Sequence, residues 1–574
     1  MGLLNSALQI GRSALLGYES ALHVVGNNVT GAGSPDYTRQ TPDLDPLHGG
    51  LITGDLQPGA GVALTGIQRN IDEALEGRVR LAIGAEASAL VQDGALAQVE
   101  ALYDDLSGAG IGARLTTFFH AFDEMQNTPE DSAIRDLAIS NATLLAESIR
   151  RLREELTRLS GDIDQQIATM VENADRIAHE IARLNEEITT AEAQNRGPAS
   201  GLRDQRDALL RELSQLLDVT VREQPNGMVN VYVSSEALVQ GNSVRGLIAV
   251  EEFDGESVRT SVRFADTNQH VAVRGGRLEG LILSRDQHGR IETLDQLAAA
   301  VIANVNRIHA DGQGLTGFTS VTGSVDVLAT DAALDGSAAG LSFPPQNGSF
   351  YITVADTVTG TPVAHRIDVD LDGSDTGATL ESLIAGINAQ VSGVTASVTS
   401  DNRLQLTADD GFTFTFGYDG QQARADTSGV LAALGINTLF TGTDARNIGV
   451  NETVVEQPSL LAAASVFLSG DGTNAGRIAT LDGAVSERLS GMSIGGFYGS
   501  IANAVAVSTA AVRDEVEATS SVLTSLQAQR ESISGVNLDE EAIALVKYER
   551  AFQGAARFVS TVDDLLAELI LLIQ

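Results

Sequence analysis

The sequence predicts an α+β, elongated multidomain chain. It should have a terminal α-helical coiled-coil stalk, a helical bundle with a small sheet, and a β-rich outer insertion. Three observations predict it. Apolar residues recur at alternating spacings of three and four at both extreme ends, the heptad pattern of helices that bury a seam against a partner. The same period runs from Leu145 to Ile188. Around 219–285 and again over 311–455 it gives way to short alternating, β-branched runs separated by Gly, Ser, Asn and Asp.

The N-terminal seam is Leu4, Leu8, Gly11, Leu15, Tyr18, Leu22, Val25 and Val29. At the other end Asn537 stands as the N-cap of an acidic first turn, where its side chain and the carboxylates suit the positive end of a helix. Leu545, Tyr548, Phe552, Ala555, Val559, Val562, Leu566, Leu569 and Ile573 then carry a seam to the end of the sequence. Neither helix buries its seam alone. The ends, 1–40 and 534–574, are therefore predicted to pack together as one stalk whose seams neighbouring copies complete, with two ordinary core helices as the alternative.

Between them, residues 41–66 read as extended and helix runs from Asn70 to about Leu106. Ser107–Ala113 is glycine-rich, but no Gly-Lys-Ser/Thr follows, so it reads as a helix connection rather than a phosphate loop. From Thr116 to Gln194 the pattern is helical. One seam is Leu145, Ile149, Leu152, Leu156, Leu159 and Ile163, and a second is Ile167, Met170, Ala174, Ile177, Ile181, Leu184 and Ile188. The four-residue step from Ile163 to Ile167 is a stutter. Asn195-Arg196-Gly197-Pro198 stops this helix, and Leu202–Leu217 folds back on it.

A bundle domain is thus predicted over 41–310, with helix at Leu294–His309 and a β-subdomain at 219–285. The subdomain's strands are Val219–Val221, Val229–Val233 and Val271–Val273, with a turn at Pro225-Asn226-Gly227. In the 311–455 insertion, a helix at Leu380–Ala389 precedes a hairpin of Val394–Val398 and Arg403–Thr407. The helical pattern resumes from Leu460, interrupted by glycines over 491–499, and 456–533 reads as the returning bundle segment.

Composition excludes several function classes. Against 76 acidic residues stand 37 basic ones, a formal charge of -39, which repels a duplex or an anionic membrane. Neither nucleic acid nor membrane insertion is expected. Leu565–Ile573, the most apolar run, is nine residues long and contains Glu568. With no cysteine there is no disulfide frame and no thiolate chemistry. Gly491-Met492-Ser493-Ile494-Gly495 fits a nucleophile elbow, but every one of the eight histidines precedes Ser493. Asp368–Gly373 begins like a calcium loop, but Thr379 stands at the twelfth position, where a bidentate glutamate is required. No catalytic, metal or cofactor residue is assigned, and the chain is expected not to be an enzyme. Its first residues lack the basic start and cleavage site of a secretory signal.

Specific residues narrow the reading. Asn27-Asn28-Val29 and Ser34-Pro35-Asp36-Tyr37-Thr38-Arg39-Gln40 resemble the signature of flagellar rod, hook and hook-associated axial proteins, in which paired asparagines precede a Thr-Pro-Gly-Tyr turn. The stretch from Ser532 to Glu541 resembles the C-terminal signature as the hook-associated protein 1 family carries it, through Asn537, Leu538, Asp539 and Glu540. Phe118-Phe119-His120-Ala121-Phe122, Asn127-Thr128-Pro129-Glu130 and Asp204-Gln205-Arg206-Asp207 are similar to further segments of that family. The likeness is weakest between about 320 and 450. The turn departs from the family at Gly31 and Gly33, where asparagine is usual, and at Asp36, where glycine is usual.

The resemblance implies a structural subunit that joins the hook of a bacterial flagellum to its filament. Assembly would run through Leu4, Leu8, Leu15, Tyr18, Leu22 and Val25 with Leu545, Phe552, Val559, Val562, Leu566, Leu569 and Ile573. It implies copies of the chain itself, the hook protein and a second junction protein as partners. It also implies an export chaperone at the C-terminal helix, with Leu566, Leu569 and Ile573 as its contacts. Export would use the flagellar type III apparatus without a cleaved signal, giving an extracellular location on the flagellum. Terminal helices without neighbours are expected to be disordered in the monomer. Another axial protein, hook or distal rod, and a secreted adhesin or effector acting through 320–450 are the alternatives.

Overall fold

The computed structural model describes residues 2–34, 36–48, 59–103, 110–195, 198–253, 258–286, 289–371 and 377–573. Helix α1 (Gly2–Gly31) leads through the signature turn into an antiparallel hairpin, β1 (Gln40–His48) and β2 (Gly59–Arg69). Helices α2 (Glu73–Leu102), α3 (Ile111–Asn127), α4 (Ser132–Asn195) and α5 (Ser200–Leu216) follow. Along α4 the buried row runs Ile163, Ile167, Val171, Ala174. Two four-residue steps in succession hand the core position to Val171, and Met170 is only half-buried.

The β-subdomain departs from expectation. Strands β3 (Val219–Glu223), β4 (Val229–Val233), β5 (Glu236–Gln240) and β6 (Ser243–Val244) form a four-stranded antiparallel meander. A separate ribbon, β7 (Leu247–Phe253) and β8 (Val258–Phe264), follows it. Val271–Val273 is not a strand. The Val271 amide bonds to Val262 beside a single bridge at His270. Gly275 and Gly276, at φ +63 and +70, then turn the chain into α6 (Gly276–Asp286), a helix where the sequence predicts part of the β-subdomain.

After α7 (Gly289–Ala310) the β-rich stretch contains β9 (Ser320–Thr322), β10 (Gly348–Asp356), β11 (Pro362–Val369), α8 (Leu380–Gln390), β12 (Val394–Val398), β13 (Leu404–Ala408) and β14 (Phe412–Phe416). They pair as two antiparallel three-stranded sheets, β11-β10-β14 and β12-β13-β9. Thr379 caps α8 in a capping box with Ser382, so the would-be twelfth calcium position is a helix start. Asp372 lies outside the described residues, and Asp368 is paired with Arg366 at 2.7 Å.

Short elements α9 (Val430–Ala433), β15 (Phe440–Thr441), β16 (Gly449–Val450), α10 (Glu452–Glu456) and α11 (Thr473–Ala479) lead to α12 (Ile494–Ser534) and α13 (Leu538–Ile573). The helix expected from Leu460 is therefore mostly irregular until Ile494. Gly495, Gly496 and Gly499 lie inside the start of α12 rather than interrupting it. The Ser493 hydroxyl accepts from the Gly496 amide at 3.1 Å, which makes the serine of Gly-x-Ser-x-Gly a helix cap.

The chain divides into two compact units. The first holds Met1–Ala95, Asp162–Arg285 and Ala510–Gln574; the second holds Leu96–Gly161 and Asp286–Thr509. The stretches 41–310 and 456–533 thus each contribute to both units. In the first, Leu75, Val79, Ala82 and Ile83 of α2 pack with Leu523 and Leu526 of α12. Asn185 of α4 is fully buried, donating to the carbonyls of Val229 and Gly241 and accepting from the Val229 amide. One cluster of the second unit gathers Phe118, Phe122, Leu145, Ile149, Leu297, Val301 and Phe440; another gathers Phe350, Ile352, Leu406, Phe414 and Phe416.

A buried polar hub in the second unit gives a pH prediction. His309, wholly buried, contacts the Asn437 carbonyl through Nδ1 and accepts from the Ala462 amide through Nε2. Burial pulls its pKa from 6.5 down to about 4. Asp311 accepts from the Asp426 amide, and burial pushes its carboxyl from 3.8 up to about 6 despite Arg477 nearby. The signs oppose. The His309 contribution is present above 6.5 and lost as pH falls through 4, whereas that of Asp311 is present below 3.8 and lost as pH rises through 6. Asp311→Asn removes the second arm. Relative to the unsubstituted chain, the variant should lose up to about 3 kcal/mol as pH falls from about 7 to about 4, measured by denaturant unfolding at each pH.

Candidate assembly interface

In the first unit α1 and α13 lie against each other in antiparallel order, with Gly11 opposite Val559 and Asn28 opposite Glu541. A β-carbon on Gly11 would run into the Val559 side chain and come within 3.2 Å of the Phe558 ring. Glycine is what lets the helices approach this closely. Ala21, Val24, Val25, Ala555 and Val562 are buried, while Leu8, Leu15, Tyr18, Leu22, Tyr548, Phe552, Val559 and Leu566 are half-buried. Leu4, Leu569 and Ile573 sit on the same helices, but their side chains lie outside the described residues. Leu545 and Val29, assigned to the seam, are largely exposed. Within one chain the terminal helices thus cover much of each other's seam. Among the described residues, Leu16 on α1 and Leu538, Ile543, Val546, Phe558 and Leu565 on α13 are exposed as well.

The two signatures meet in a buried polar node. The Asn28 amide nitrogen donates to the Gln40 carbonyl at 2.8 Å and to Glu541 Oε2 at 3.0 Å. Its Oδ1 accepts from the Gln40 amide at 3.0 Å and from the Tyr37 hydroxyl at 2.9 Å. Burial, then Asp204 and Glu541, push the Tyr37 phenol up to about 12, which keeps it a donor. Arg39 Nε donates to Glu541 Oε1 at 2.9 Å, its guanidinium reaches Glu540 at 2.8 Å, and its amide bonds to the Ser534 carbonyl. Asn537 caps α13 by accepting from the Asp539 amide.

The structure therefore brings Asn28, Tyr37 and Glu540 together and leaves Asn27, Asp539 and the 56 % exposed Leu538 outside. Pro35 is outside the described residues. Two node members are missing from the residues assigned on sequence, Arg39 and Glu541. Each stands inside a signature already quoted, but the chain distance between them hides their pairing. Glu541 is only 2 % exposed, and a carboxylate that close to a helix start reads as dipole complement rather than as a buried partner.

The Asp204-Gln205-Arg206-Asp207 segment of α5 secures the hairpin below the turn. Arg69 of β2 pairs with Asp204 at 2.9 Å and also with Asp207. Arg206 donates to the Gly227 carbonyl and to Asn185. Asp36, where the family has glycine, pairs with Arg211 at 2.8 Å. A cleft of about 800 Å³ beside it is lined by Asp36, Val79, Leu184, Arg211, Glu212 and Arg530. Both of those arginines are held by carboxylates, Arg211 by Asp36 and Glu76, and Arg530 by Glu76.

The glycine departures are not equivalent. A β-carbon at Gly31 would sit 2.6 Å from the Tyr37 ring, whereas Gly33 faces open space. Restoring the family's asparagine at 31 is therefore expected to displace Tyr37 from Asn28 and cost about 2 kcal/mol, and at 33 to change stability by less than about 0.5 kcal/mol. Thermal unfolding of Gly31→Asn beside Gly33→Asn checks this.

Comparisons with known proteins agree with this architecture. The family model described as the flagellar hook-associated protein FlgK helical domain matches residues 96–323. The flagellin hook IN motif matches residues 349–410, and the flagellar basal body rod FlgEFG protein C-terminal model matches residues 527–572. Flagellar hook-associated protein 1 of Escherichia coli (strain K12) is 26 % identical, over 99 % of this chain and 99 % of its own. The protein of the same name from Bacillus subtilis (strain 168) is 24 % identical, over 98 % of this chain and 97 % of its own. Among solved structures, the flagellar hook junction protein FlgK from Burkholderia pseudomallei shares the fold. It has a TM-score of 0.52 at 16 % identity, covering 80 % of this chain and all of that one. No helix among the described residues is long and apolar enough to cross a membrane.

Proposed function

We propose a function from one premise: the chain belongs to the flagellar hook-associated protein 1 family. It is a structural adaptor subunit of the bacterial flagellum that joins hook to filament. The observation that carries this reading is the buried node in which both terminal signatures meet. It ties the two ends of the chain into one helical pair, and that pair still presents Leu16, Ile543, Val546 and Leu565 to solvent. Exposed apolar stripes on paired helices are surfaces for further helices. Neighbouring copies cover them first, with the hook protein on one side and a second junction protein on the other. Before assembly an export chaperone shields the C-terminal helix around Leu566, Leu569 and Ile573. The chain leaves the cell through the flagellar type III apparatus without a cleaved signal, and its work is mechanical rather than catalytic.

Deleting the gene tests this. Electron microscopy of the deletion strain should find hooks without filaments, with flagellin accumulating in the medium. Absent hooks would assign the chain to the hook or rod instead, and normal flagella would remove it from flagellar assembly.

A further inference from the structure

The apolar seams of α1 and α13 do not by themselves choose how the two helices align. Both repeat every seven residues, so sliding one past the other by a heptad, about 10 Å, again sets apolar residues against apolar residues. Gly11, opposite Val559 as observed, would then face Phe552 or Leu566, positions of the same seam. We infer that the Asn28–Arg39–Glu541 node is the register-determining element of the terminal helix pair.

Three features single it out. Asn28 is oriented by contacts other than Glu541, because its Oδ1 and one amide hydrogen are spent on Gln40 and Tyr37, which leaves the second hydrogen aimed at the Glu541 carboxylate. Glu541 is buried and its carboxylate is held by Asn28 and Arg39 of the N-terminal signature, so a slipped helix would bury a carboxylate with neither. Arg39 is itself anchored through its backbone amide to Ser534, at the end of α12. A misfit at Gly11 against a larger residue is a graded packing cost. Loss of the node is the loss of charge-assisted hydrogen bonds in a buried site, and one buried polar contact of this kind suffices to set register in coiled coils.

The chain's lack of cysteine allows a direct test on full-length protein. Gly11→Cys is combined in turn with Val559→Cys, Phe552→Cys or Leu566→Cys, and intrachain disulfide yield is read on gels after mild oxidation. With the node intact, only the pair with Val559→Cys should close. With Asn28→Ala and Glu541→Ala together, which leaves no orphaned carboxylate, the ratio of that yield to the slipped yields should fall roughly tenfold or more. Glu541→Gln, isosteric but uncharged, should fall between.

Continued exclusive closure at 559 in the double variant would mean the seam sets the register, and would overturn the inference. So would equal closure at all three positions with the node intact. Loss of every cross-link in the double variant while helical content persists would show that the node holds the helices together without choosing their alignment, which also overturns it.

Discussion

A Gly11→Leu chain is expected to leave cells without filaments and to lose about 3 kcal/mol from the pairing of its terminal helices. At Gly11 the helices α1 and α13 approach so closely that a β-carbon would clash with Val559. Valine is β-branched and stiff, so it cannot swing aside as a longer side chain would. Replacing glycine in a helix normally gains about 1 kcal/mol of propensity, so any destabilisation must come from overpacking, which costs about 1–3 kcal/mol or more. Compensation distinguishes this from a general loss of folding. Gly11→Ala should be impaired alone and recover when combined with Val559→Ala, read by motility and by protection of α1 from proteolysis. Full motility of Gly11→Leu would mean that α1 and α13 do not pair in the working protein.

Arg135→Met is expected to destabilise the second unit by about 3 kcal/mol, measured by denaturant unfolding. Arg135 is 1 % exposed, and its guanidinium donates to the carbonyls of Pro129 at 2.6 Å, Pro458 at 3.2 Å and Leu461 at 2.7 Å. Burial alone pulls its pKa down to about 10, the mark of a charge that costs desolvation. Part of that cost returns when the charge is removed, but methionine fills the volume and supplies no donor. Two buried carbonyls, of Pro129 and Leu461, and the half-buried one of Pro458 lose this partner, and at about 1–3 kcal/mol for each buried one this outweighs the recovered desolvation. Arg135→Lys should rescue little, because a single ammonium cannot span three acceptors held by two separate segments.

Much of the architecture was legible because heptads, caps and turn residues are local. The α13 start at Asn537, the helix–hairpin over 380–408 and the seams of α4, except at Met170 where Val171 takes the core position, follow from short patterns. The misses have physical causes too. Val271–Val273 alternates like a strand, but the paired glycines that follow it start α6. Residues 460–493 keep an apolar period, yet the only α-helix among them is the short α11, from which Asn474 donates to the Ile308 and Ala462 carbonyls and ties the segment to partners that are distant in sequence. At the interface the seam could be read from spacing. The node could not, because Asn28 and Glu541 stand 513 residues apart and only the folded chain brings them together. The hook, rod and adhesin alternatives rested on the terminal signatures or the insertion alone. The likeness to hook-associated protein 1 runs through 99 % of this chain.

Immunogold labelling of isolated hook–filament assemblies, with antibodies raised against residues 311–455, tests the central claim most directly. The account predicts label confined to the boundary between hook and filament, and lost in the deletion strain. Label spread along the filament, along the hook or over the cell surface would contradict it.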